Sequence, residues 1–465
     1  MATSTRLSDV HADRPALNLH RLIAWLEAPT SILPLVVFRI AFGVLMLAGV
    51  VRFAGNNWIE TLYIQPQFHF KYLGFEWVQV APGAGMYIIF AAMALAALLI
   101  AVGLCYRVSM AAFFALFTYV ELLDKALYLN HYYFISILSL LLIFLPLHRA
   151  FSLDAWLRPG VRASTVPRWT LGAVRLQLGM VYFFAGFAKL NPDWMLGALP
   201  LRIWLPPHAA FPVLGALFVQ PWFAYAMSWG GAVYDLTIPF ALSIRRLRPF
   251  AYLAVIGFHV MTAMLFNIGM FPWVMIACTL IFFDARDFGA VYGLARRVLP
   301  ALPAPTAAHD DRKPKSSRLL LAAFAVYFVI QALLPFRYLL YPGNPNWTQE
   351  AFRFAWRVML VESAGYTTFF VHDPASGRRW VIDPEASLTP TQARQMAFQP
   401  DMILEFAHYL ESRFRAEGYA DVEVRVEAYV AYNGRGSRLL IDPTVDLTQY
   451  APSIFAKPWI LREVE

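Results

Sequence analysis

Cysteine and charge are both scarce in this sequence. Its 465 residues include only two cysteines, Cys105 and Cys278, and 15% charged residues, whereas a soluble domain carries about 25%. Both cysteines lie in or beside apolar runs and give no disulfide framework. The sequence also has no phosphate-binding glycine loop, no GxSxG elbow and no dinucleotide fingerprint. No spacing of His, Cys, Asp or Glu resembles a zinc or iron site, so we expect no metal.

Apolar residues take the place of the missing charge. They make up 59% of the chain, and runs of 18 or more recur through the first 340 positions. Such runs are typical of transmembrane helices, so the sequence predicts a mainly α, polytopic membrane helix bundle of about eight or nine spans. The candidate spans are 31–53, 85–104, 108–128, 131–147, 171–189, 222–243, one or two within 250–284, and 318–340.

Basic residues are distributed unevenly among the loops between these runs. Segments 148–170, 244–249 and 285–317 are rich in arginine and lysine, whereas 191–220 contains only Arg202. Because an excess of Lys and Arg marks cytoplasmic loops, we expect the three basic segments inside. This topology accounts for the net charge of +8 without a nucleic-acid partner.

The same orientation assigns the remaining segments. Residues 1–30 contain no cleavable apolar segment and are interpreted as a retained cytoplasmic tail. Segment 250–284 must leave the cytoplasm and return, either as a tight hairpin turning near 267–269 or as a re-entrant element. The proline-rich, charged residues 298–317 predict a cytoplasmic linker.

Residues 341–465 predict a small α+β domain outside the cytoplasm. Segment 422–430, VEVRVEAYV, alternates as a half-buried strand does. TTFFVHD, RRWVID and RLLID predict further short strands, and 391–417 predicts a helix because its apolar residues recur at spacings of three and four. The residues expected on the buried face of the alternating strand are Val422, Val424, Val426, Ala428 and Val430.

Polar side chains within the apolar runs are the candidate functional residues, since such groups usually face protein or a wet cavity. Arg39 and Asp235 can form an ion pair, with a structural or a functional role. His259 is interpreted as a hydrogen-bonded core histidine rather than a metal ligand. The other candidates are Asn130, His131, Lys189 and Asn267.

Lys189 ends the fifth predicted span, within FAGFAKLNPDW (184–194). One interpretation is that its side chain snorkels to the interface. The other is that an amine in a poorly solvated pocket gives up its charged form and acts as a general base. Trp194 and the Phe183-Phe184 pair could supply the apolar wall of such a pocket. A membrane-embedded base suits a lipid-soluble acid, and a hydroquinone is one.

His131 starts the fourth predicted span at the outer face, where the fifth span ends at Lys189. We therefore expect both side chains to line one pocket. The alternative is that His131 and Asn130 form an interfacial helix cap, with no part in chemistry.

Eight segments carry a resemblance to a known family, in the family's order. They are FRIAFG (38–43), GLCYRVS (103–109), LLDK (122–125), NHYYF (130–134), YFFAGFAKLNPDW (182–194), FHVMTAMLFNIGMF (258–271), NPNWT (344–348) and IDPTVDL (441–447). The sequence resembles the vitamin K-dependent gamma-glutamyl carboxylase family, including its bacterial members with horizontally transferred transmembrane domains. The resemblance spans roughly residues 30 to 460.

The resemblance implies site residues and substrates. Lys189 matches the base that deprotonates vitamin K hydroquinone, and His131, preceded by Asn130, matches the histidine that assists at the reactive oxygen. The candidates for the hydroquinone pocket are Asn130, His259, Asn267, Met270 and Phe271. The implied co-substrates are reduced vitamin K or menaquinol, O2 and CO2, and the implied partners are the lipid bilayer, a quinone and a glutamate-containing protein or peptide.

The implied reaction begins when Lys189 removes a proton from the hydroquinone. The anion reacts with O2, the product acts as a strong base and becomes the epoxide, and a glutamate carbanion adds CO2. The animal enzymes have a disulfide between an outer loop and the later domain, whereas residues 54–82 and 341–465 contain no cysteine here. Two alternatives stay open: a hydroquinone epoxidase without protein carboxylation, and a non-catalytic quinone-binding or quinone-sensing membrane protein. A transporter comes third, since no inverted repeat is visible.

Overall fold

The protein is a helical membrane bundle with a small α+β region at its C-terminal end, which confirms the predicted fold class. The computed structural model describes residues 19–289, 293, 297 and 317–462. Most of the predicted linker 298–317 and residues 1–18 of the predicted N-terminal tail lie outside the described residues.

The bundle contains most of the helices. In chain order they are α1 (Leu19–Leu26), α2 (Leu33–Gly55), α3 (Gly85–Val102), α4 (Tyr106–Leu123), α5 (Asn130–Ile143), α6 (Leu153–Leu157), α7 (Arg168–Ala188), α8 (Pro192–Gly197), α9 (Leu201–Trp204), α10 (Gly215–Phe218), α11 (Pro221–Ser243), α12 (Arg248–Leu265), α13 (Phe271–Cys278) and α14 (Arg318–Leu333). Strands β1 (Pro29–Ser31) and β2 (Thr165–Pro167) pair antiparallel beside it.

Six helices of the described part are long and apolar enough to cross a bilayer. They are α2, α3, α4, α7, α12 and α14, the last extended by a 3₁₀ segment to Leu340. The apolar helix α5 is shorter, with 14 residues. The protein is therefore a multi-pass membrane protein, as the hydrophobic runs predict.

Helices α12 and α13 form a helical hairpin, a shape that both interpretations of 250–284, two spans or a re-entrant element, allow. The turn lies at Phe266–Met270, where Gly269 has φ +63°. The second leg is short: α13 has 8 residues and its 3₁₀ extension Thr279–Phe282 has 4. At about 1.5–2 Å per residue this leg spans only about 20 Å, less than the ~30 Å hydrocarbon core.

The C-terminal region is built on a four-stranded antiparallel sheet in the order β4-β3-β5-β6. Its strands are β3 (Ser363–His372), β4 (Arg379–Ile382), β5 (Glu423–Tyr432) and β6 (Arg438–Leu439), and its helices are α15 (Pro345–Thr348), α16 (Pro390–Met396) and α17 (Pro400–Ala416). The five residues predicted on the buried face of β5 and just before it, Val422 to Val430, are all buried.

The single helix predicted over 391–417 is wrong in one respect. Two helices occupy this stretch, and Gln399 between them has an extended backbone with φ −120° and ψ 100°. Pro400 explains the break, because proline has no N–H to donate and disfavours the helical conformation in the residue before it.

Ion pairs hold the C-terminal region against one end of the bundle. The Nζ atom of Lys125, just after α4, lies 3.0 Å from Asp401 and 2.8 Å from Glu405. Asp193, in α8, accepts hydrogen bonds from Arg435 and Asn433. Burial opposes ionisation of the Asp193 carboxyl, but the hydrogen bonds from Arg435 and Asn433 hold its pKa below the ordinary value.

Asp124 belongs to the same junction. Its Oδ2 atom accepts a hydrogen bond of 2.7 Å from Gln392 of α16, and Oδ1 accepts one of 2.9 Å from the Ala126 backbone. Burial raises the pKa of the Asp124 carboxyl from 3.8 to about 6, although these two hydrogen bonds act in the opposite direction. The junction therefore lies at the end of the bundle that carries the α4–α5 and α7–α8 loops.

Candidate active site

Lys189 lies directly after α7 and its side chain is buried. Its Nζ atom is 2.8 Å from Oδ2 of Asp235 in α11 and 3.2 Å from the carbonyl oxygen of Ala185. The side chains of Lys189 and Asp235 are only 6% and 5% exposed. The interpretation that Lys189 snorkels to the interface is therefore wrong, because a buried carboxylate satisfies the amine within the bundle.

A glycine lets the two helices approach closely enough for this pair. A Cβ atom added to Gly186 would lie 2.8 Å from the backbone nitrogen of Leu236 and 3.0 Å from Cβ of Asp235. Real Cβ atoms do not come so close to a backbone atom, so any larger residue would push α7 and α11 apart. The glycine in FAGFAK thus brings Lys189 to its carboxylate.

The NPDW segment fixes the chain after Lys189. The Asn191 side chain caps α8 by accepting a hydrogen bond from the Trp194 backbone. Trp194 is buried, and its indole nitrogen donates to the carbonyl of Ser228 in α11 at 2.7 Å. Its ring centroid is 5.2 Å from Nζ of Lys189, a cation–π distance.

The prediction of an apolar wall is half correct. Trp194 lines the cavity beside Lys189, whereas Phe183 and Phe184 do not. Phe184 packs edge to face against Phe336, with ring centroids 5.6 Å apart, and Phe183 is 37% exposed. Both rings lie about one and a half helical turns before Lys189 and point to other sides of α7.

The predicted ion pair between Arg39 and Asp235 is wrong. Arg39 is 1% exposed and donates to the carbonyl oxygens of Leu147, Ala150 and Phe151, which follow α5. These carbonyls lie past the C-terminal end of α5, in the segment that leads to α6. Arg39 therefore stabilises the opposite end of the bundle, and Asp235 pairs with Lys189 instead.

The cavity beside Lys189 is narrow and apolar. We call it the lysine cavity, with a volume of ≈ 80 Å³. Its lining includes Tyr182, Lys189, Trp194, Asp235, His259, Phe271 and Met275. His259 is buried, and its Nε2 atom is 2.9 Å from the Tyr182 hydroxyl, so the prediction of a hydrogen-bonded histidine is confirmed. Nδ1 of His259 is buried without a hydrogen-bond partner among the described residues.

His131 lines a second, larger cavity. We call it the histidine cavity, with a volume of ≈ 410 Å³. Its lining residues are Arg52, Trp58, Leu129, Asn130, His131, Tyr132, Asn267, Ile268, Gly269, Phe271, Val358 and Met359. The His131 side chain packs against Tyr132 and Phe271, with ring centroids 4.5 and 5.6 Å away. Within the described residues its imidazole makes no hydrogen bond.

The helix-cap interpretation of His131 and Asn130 is wrong. The N-cap of α5 is Leu129, and no side chain caps that end of the helix. Instead, Oδ1 of Asn130 accepts from the Tyr128 hydroxyl, and its Nδ2 donates to the carbonyl of Arg357. Asn130 thereby ties the start of α5 to the segment that leads into the C-terminal region.

Lys189 and His131, which are predicted to line one pocket, line two adjoining cavities instead. Phe271 lines both, with its ring centroid 5.6 Å from that of His131 and 5.8 Å from that of His259. Ile268, Val358 and Met359 are also shared. Phe271 takes this position because it begins α13 immediately after the hairpin turn.

The other residues predicted for the hydroquinone pocket divide between these cavities and a third. Asn130 and Asn267 line the histidine cavity, and His259 lines the lysine cavity. Met270 lines a neighbouring apolar cavity together with His131. All of them lie at the end of the bundle that meets the C-terminal region.

Several lining residues escaped the sequence analysis. Tyr182 stands seven positions before Lys189, two helical turns away, so helical spacing could have placed it on the same face. Glu121, an acid inside an apolar run, lines the cavity that contains Met270 and His131. No sequence pattern predicted Val358 and Met359 as lining residues, because they lie in an irregular segment. This segment has positive φ at Phe354, Trp356 and Met359.

The fold and the site define a multi-pass membrane protein with a buried lysine–carboxylate pair beneath an extramembrane α+β region. The family model of the HTTM domain matches residues 28–286, and that of the vitamin K-dependent gamma-carboxylase lumenal domain matches residues 316–465. The chain therefore belongs to the vitamin K-dependent gamma-carboxylase family, as the resemblance predicts. No solved structure matches the chain.

Proposed function

We propose that the protein is a vitamin K-dependent gamma-carboxylase-like enzyme in which Lys189 deprotonates a reduced vitamin K or menaquinol. The observation that carries the proposal is the buried Lys189–Asp235 pair in an apolar cavity, 2.8 Å between charged atoms. When bound, the hydroquinone supplies electrons to O2 and becomes the epoxide, and this drives addition of CO2 to a glutamate.

The walls of the lysine cavity suit an aromatic diol, but its ≈ 80 Å³ is below the about 300–1,000 Å³ of small-ligand sites, so these walls have to move apart to admit one. Phe258, Phe266, Phe271 and Trp194 give it aromatic walls that can pack on a naphthoquinol ring. The polar side chains that line it include the Lys189–Asp235 pair, Tyr182, Thr262 and His259. Nδ1 of His259 is buried and has no partner among the described residues. A buried polar atom without a partner is costly, so a ligand hydroxyl would satisfy it.

Asp235 has a defined part in the proton step. An ammonium already paired with a carboxylate has no free electron pair with which to accept a proton. Lys189 therefore passes a proton to Asp235 as it receives the phenolic proton. The step leaves a protonated carboxyl at Asp235, an ammonium at Lys189 and the deprotonated hydroquinone beside it, so opposite charges stay adjacent.

Purified protein in lipid nanodiscs tests the proposal. Reduced vitamin K and O2 should yield the epoxide by chromatography, and labelled CO2 should enter a glutamate-containing peptide only when both are present. Epoxide without labelled peptide identifies a hydroquinone epoxidase alone. Saturable quinone binding without epoxide identifies a quinone-binding or sensing protein and contradicts the proposal.

We also propose that the C-terminal region, residues 341–465, lies outside the cytoplasm. The three basic segments and the lumenal-domain family match support this orientation. Ser437 is exposed in that region, and the native Cys105 is exposed at the opposite end of the bundle, between α3 and α4. In the double variant Ser437→Cys/Cys105→Ser, an impermeant thiol reagent added to sealed cells should label the introduced cysteine from outside. In the wild type, the same reagent should label Cys105 only after permeabilisation. The reverse pattern would overturn the topology.

A further inference from the structure

Arg52 is the one charged residue among those that line the histidine cavity, all of which are described. It lies in the last turn of α2, at the end of the bundle that meets the C-terminal region. A cavity of ≈ 410 Å³ is within the range of small-ligand sites, about 300–1,000 Å³. Its only formal charge is positive, so it selects for an anionic group.

The Arg52 guanidinium is held in place by an aromatic ring. Its central carbon lies 4.6 Å from the centroid of Trp58. A guanidinium on a ring face keeps its N–H donors at its edge, where a planar carboxylate can bind through two parallel hydrogen bonds. The stacking therefore orients Arg52 and leaves its donors available.

No carboxylate of the described residues occupies those donors. Lys125, Lys189 and Arg435 at this end of the bundle each have an acidic partner within 3.0 Å. Arg52 has no ion pair within 4.0 Å among the described residues. Glu121 shares a neighbouring cavity with Arg52 but makes no ion pair with it.

The hairpin turn supplies a second donor. Asn267 is exposed, lines the same cavity and has no side-chain hydrogen bond within the described residues. Gly269, in the same turn, lies beside the Arg52 guanidinium, where an added Cβ would be 3.5 Å from Nη1. An arginine and a free amide across one cavity can together bind the two oxygens of a carboxylate.

We propose that the histidine cavity binds the side-chain carboxylate of a glutamate in a peptide segment, with Arg52 as the anchor and Asn267 as a second donor. The proposal rests on the proposed function, since His131 in this cavity and Lys189 in the next share Phe271 as a wall. The glutamate would then lie next to the site at which the hydroquinone reacts.

Equilibrium binding of capped peptides tests this without any turnover. Two peptides, acetylated and amidated at their ends, differ only in a central glutamate or glutamine, and binding to nanodisc-embedded protein is measured without hydroquinone. A charge-assisted bidentate contact should make the glutamate peptide bind about 10- to 100-fold more tightly. Arg52→Gln should abolish this preference, and Arg52→Lys should retain only part of it, because lysine lacks the planar fork.

Matched controls separate this site from general charge effects and from misfolding. Arg202→Gln removes an exposed arginine that lines neither cavity, and it should keep the full preference. Asn267→Ala, in an exposed turn, should lower the preference even if Arg52→Gln proves unstable. N-acetylglutamate amide as a competitor shows whether the carboxylate alone suffices or the peptide is needed.

Two outcomes would overturn the proposal: equal binding of both peptides by the wild-type protein, or an unchanged preference in folded Arg52→Gln. Neither depends on epoxide formation. A protein that prefers the glutamate peptide but forms no epoxide contradicts the proposed function and leaves the carboxylate site standing. Epoxide formation by a protein that binds both peptides equally would contradict the carboxylate site and leave the proposed function standing.

Discussion

Lys189 and Asp235 form an ion pair that is almost completely buried, with 2.8 Å between Nζ and Oδ2. Removal of one partner from such a pair strands a charge and typically costs about 3–5 kcal/mol of stability. Replacement of both by apolar residues of similar volume is often neutral. Stability and chemistry at this site can therefore be separated by the choice of variant.

Substitution of Lys189 should remove epoxidation. Lys189→Arg keeps a cation opposite Asp235, so folding should be retained, but arginine stays protonated and cannot act as a base. Loss of a general base typically lowers the rate about 100- to 10,000-fold. Epoxide formation and thermal unfolding are to be measured on the same preparation.

The matched control for Lys189→Ala is the double variant Lys189→Met/Asp235→Leu. Lys189→Ala should be both inactive and less stable, and a small exogenous amine should restore part of its activity. The double variant should regain stability without regaining activity. Epoxidation at the wild-type rate by Lys189→Ala or by folded Lys189→Arg would rule out Lys189 as the base.

Asp235→Asn tests whether the carboxylate takes the proton from Lys189. An amide cannot accept that proton, so the rate near neutral pH should fall by tenfold or more, about 1.4 kcal/mol in the barrier. The melting temperature is to be measured on the same preparation, since loss of the carboxylate also strands the charge of Lys189. A normal rate in folded Asp235→Asn would assign Asp235 a structural role only.

Sequence patterns predicted the elements of this fold better than their pairings. The apolar runs gave α2, α3 and α7 within a few residues, and the alternation in 422–430 gave the buried face of β5. A run of hydrophobic residues indicates that a helix is buried, but it does not indicate which neighbouring residue each polar side chain contacts. The sequence therefore predicts a pair of Arg39 with Asp235, whereas backbone carbonyls after α5 accept the hydrogen bonds of Arg39.

The shape of the site was harder to predict than its residues. Lys189, His131 and His259 were found because a polar residue in an apolar run is conspicuous. That Phe271 separates their cavities depends on the angle at which α13 leaves its turn. Met359, with φ +53°, lies in a segment whose path is set by packing between the bundle and the sheet.

The junction between the bundle and the C-terminal region should lose stability as pH rises, through Asp124. The pKa of this carboxyl is about 6, above its ordinary value of 3.8, so between these values the folded state binds more protons than the unfolded one. Its contribution to stability is therefore complete below about pH 4 and is lost as pH rises through 6. The shift of about two units corresponds to at most about 3 kcal/mol.

Asp124→Asn removes this titration and is the matched comparison. Melting temperatures of both proteins are to be measured from pH 4.5 to 7.5. The wild type should lose stability relative to Asp124→Asn as pH rises across this window. A constant difference between the two proteins would mean that the Asp124 carboxyl does not titrate there.

His131 is expected to act through its ring nitrogens and not through its packing. Its imidazole has no hydrogen-bond partner among the described residues, and it contacts Phe271 and Tyr132 only through ring faces and edges. His131 does not line the lysine cavity, so it reaches a hydroquinone there only if the ring extends past Phe271, which lines both cavities. If His131 then hydrogen-bonds the hydroquinone oxygen as charge develops there, its removal should cost about 2.7–4 kcal/mol, or roughly 100- to 1,000-fold in turnover. Hydroquinone affinity should change much less, because the contact strengthens mainly on the way to the transition state.

His131→Phe separates this role from a structural one. Phenylalanine preserves the ring packing against Phe271 but has no nitrogen, so the melting temperature should stay near that of the wild type while turnover falls as in His131→Ala. His131→Gln, which retains an amide donor and acceptor, should recover part of the rate. Normal turnover by folded His131→Phe would show that His131 only fills the wall it shares with Phe271, and Lys189 with Asp235 would then carry the proton step alone.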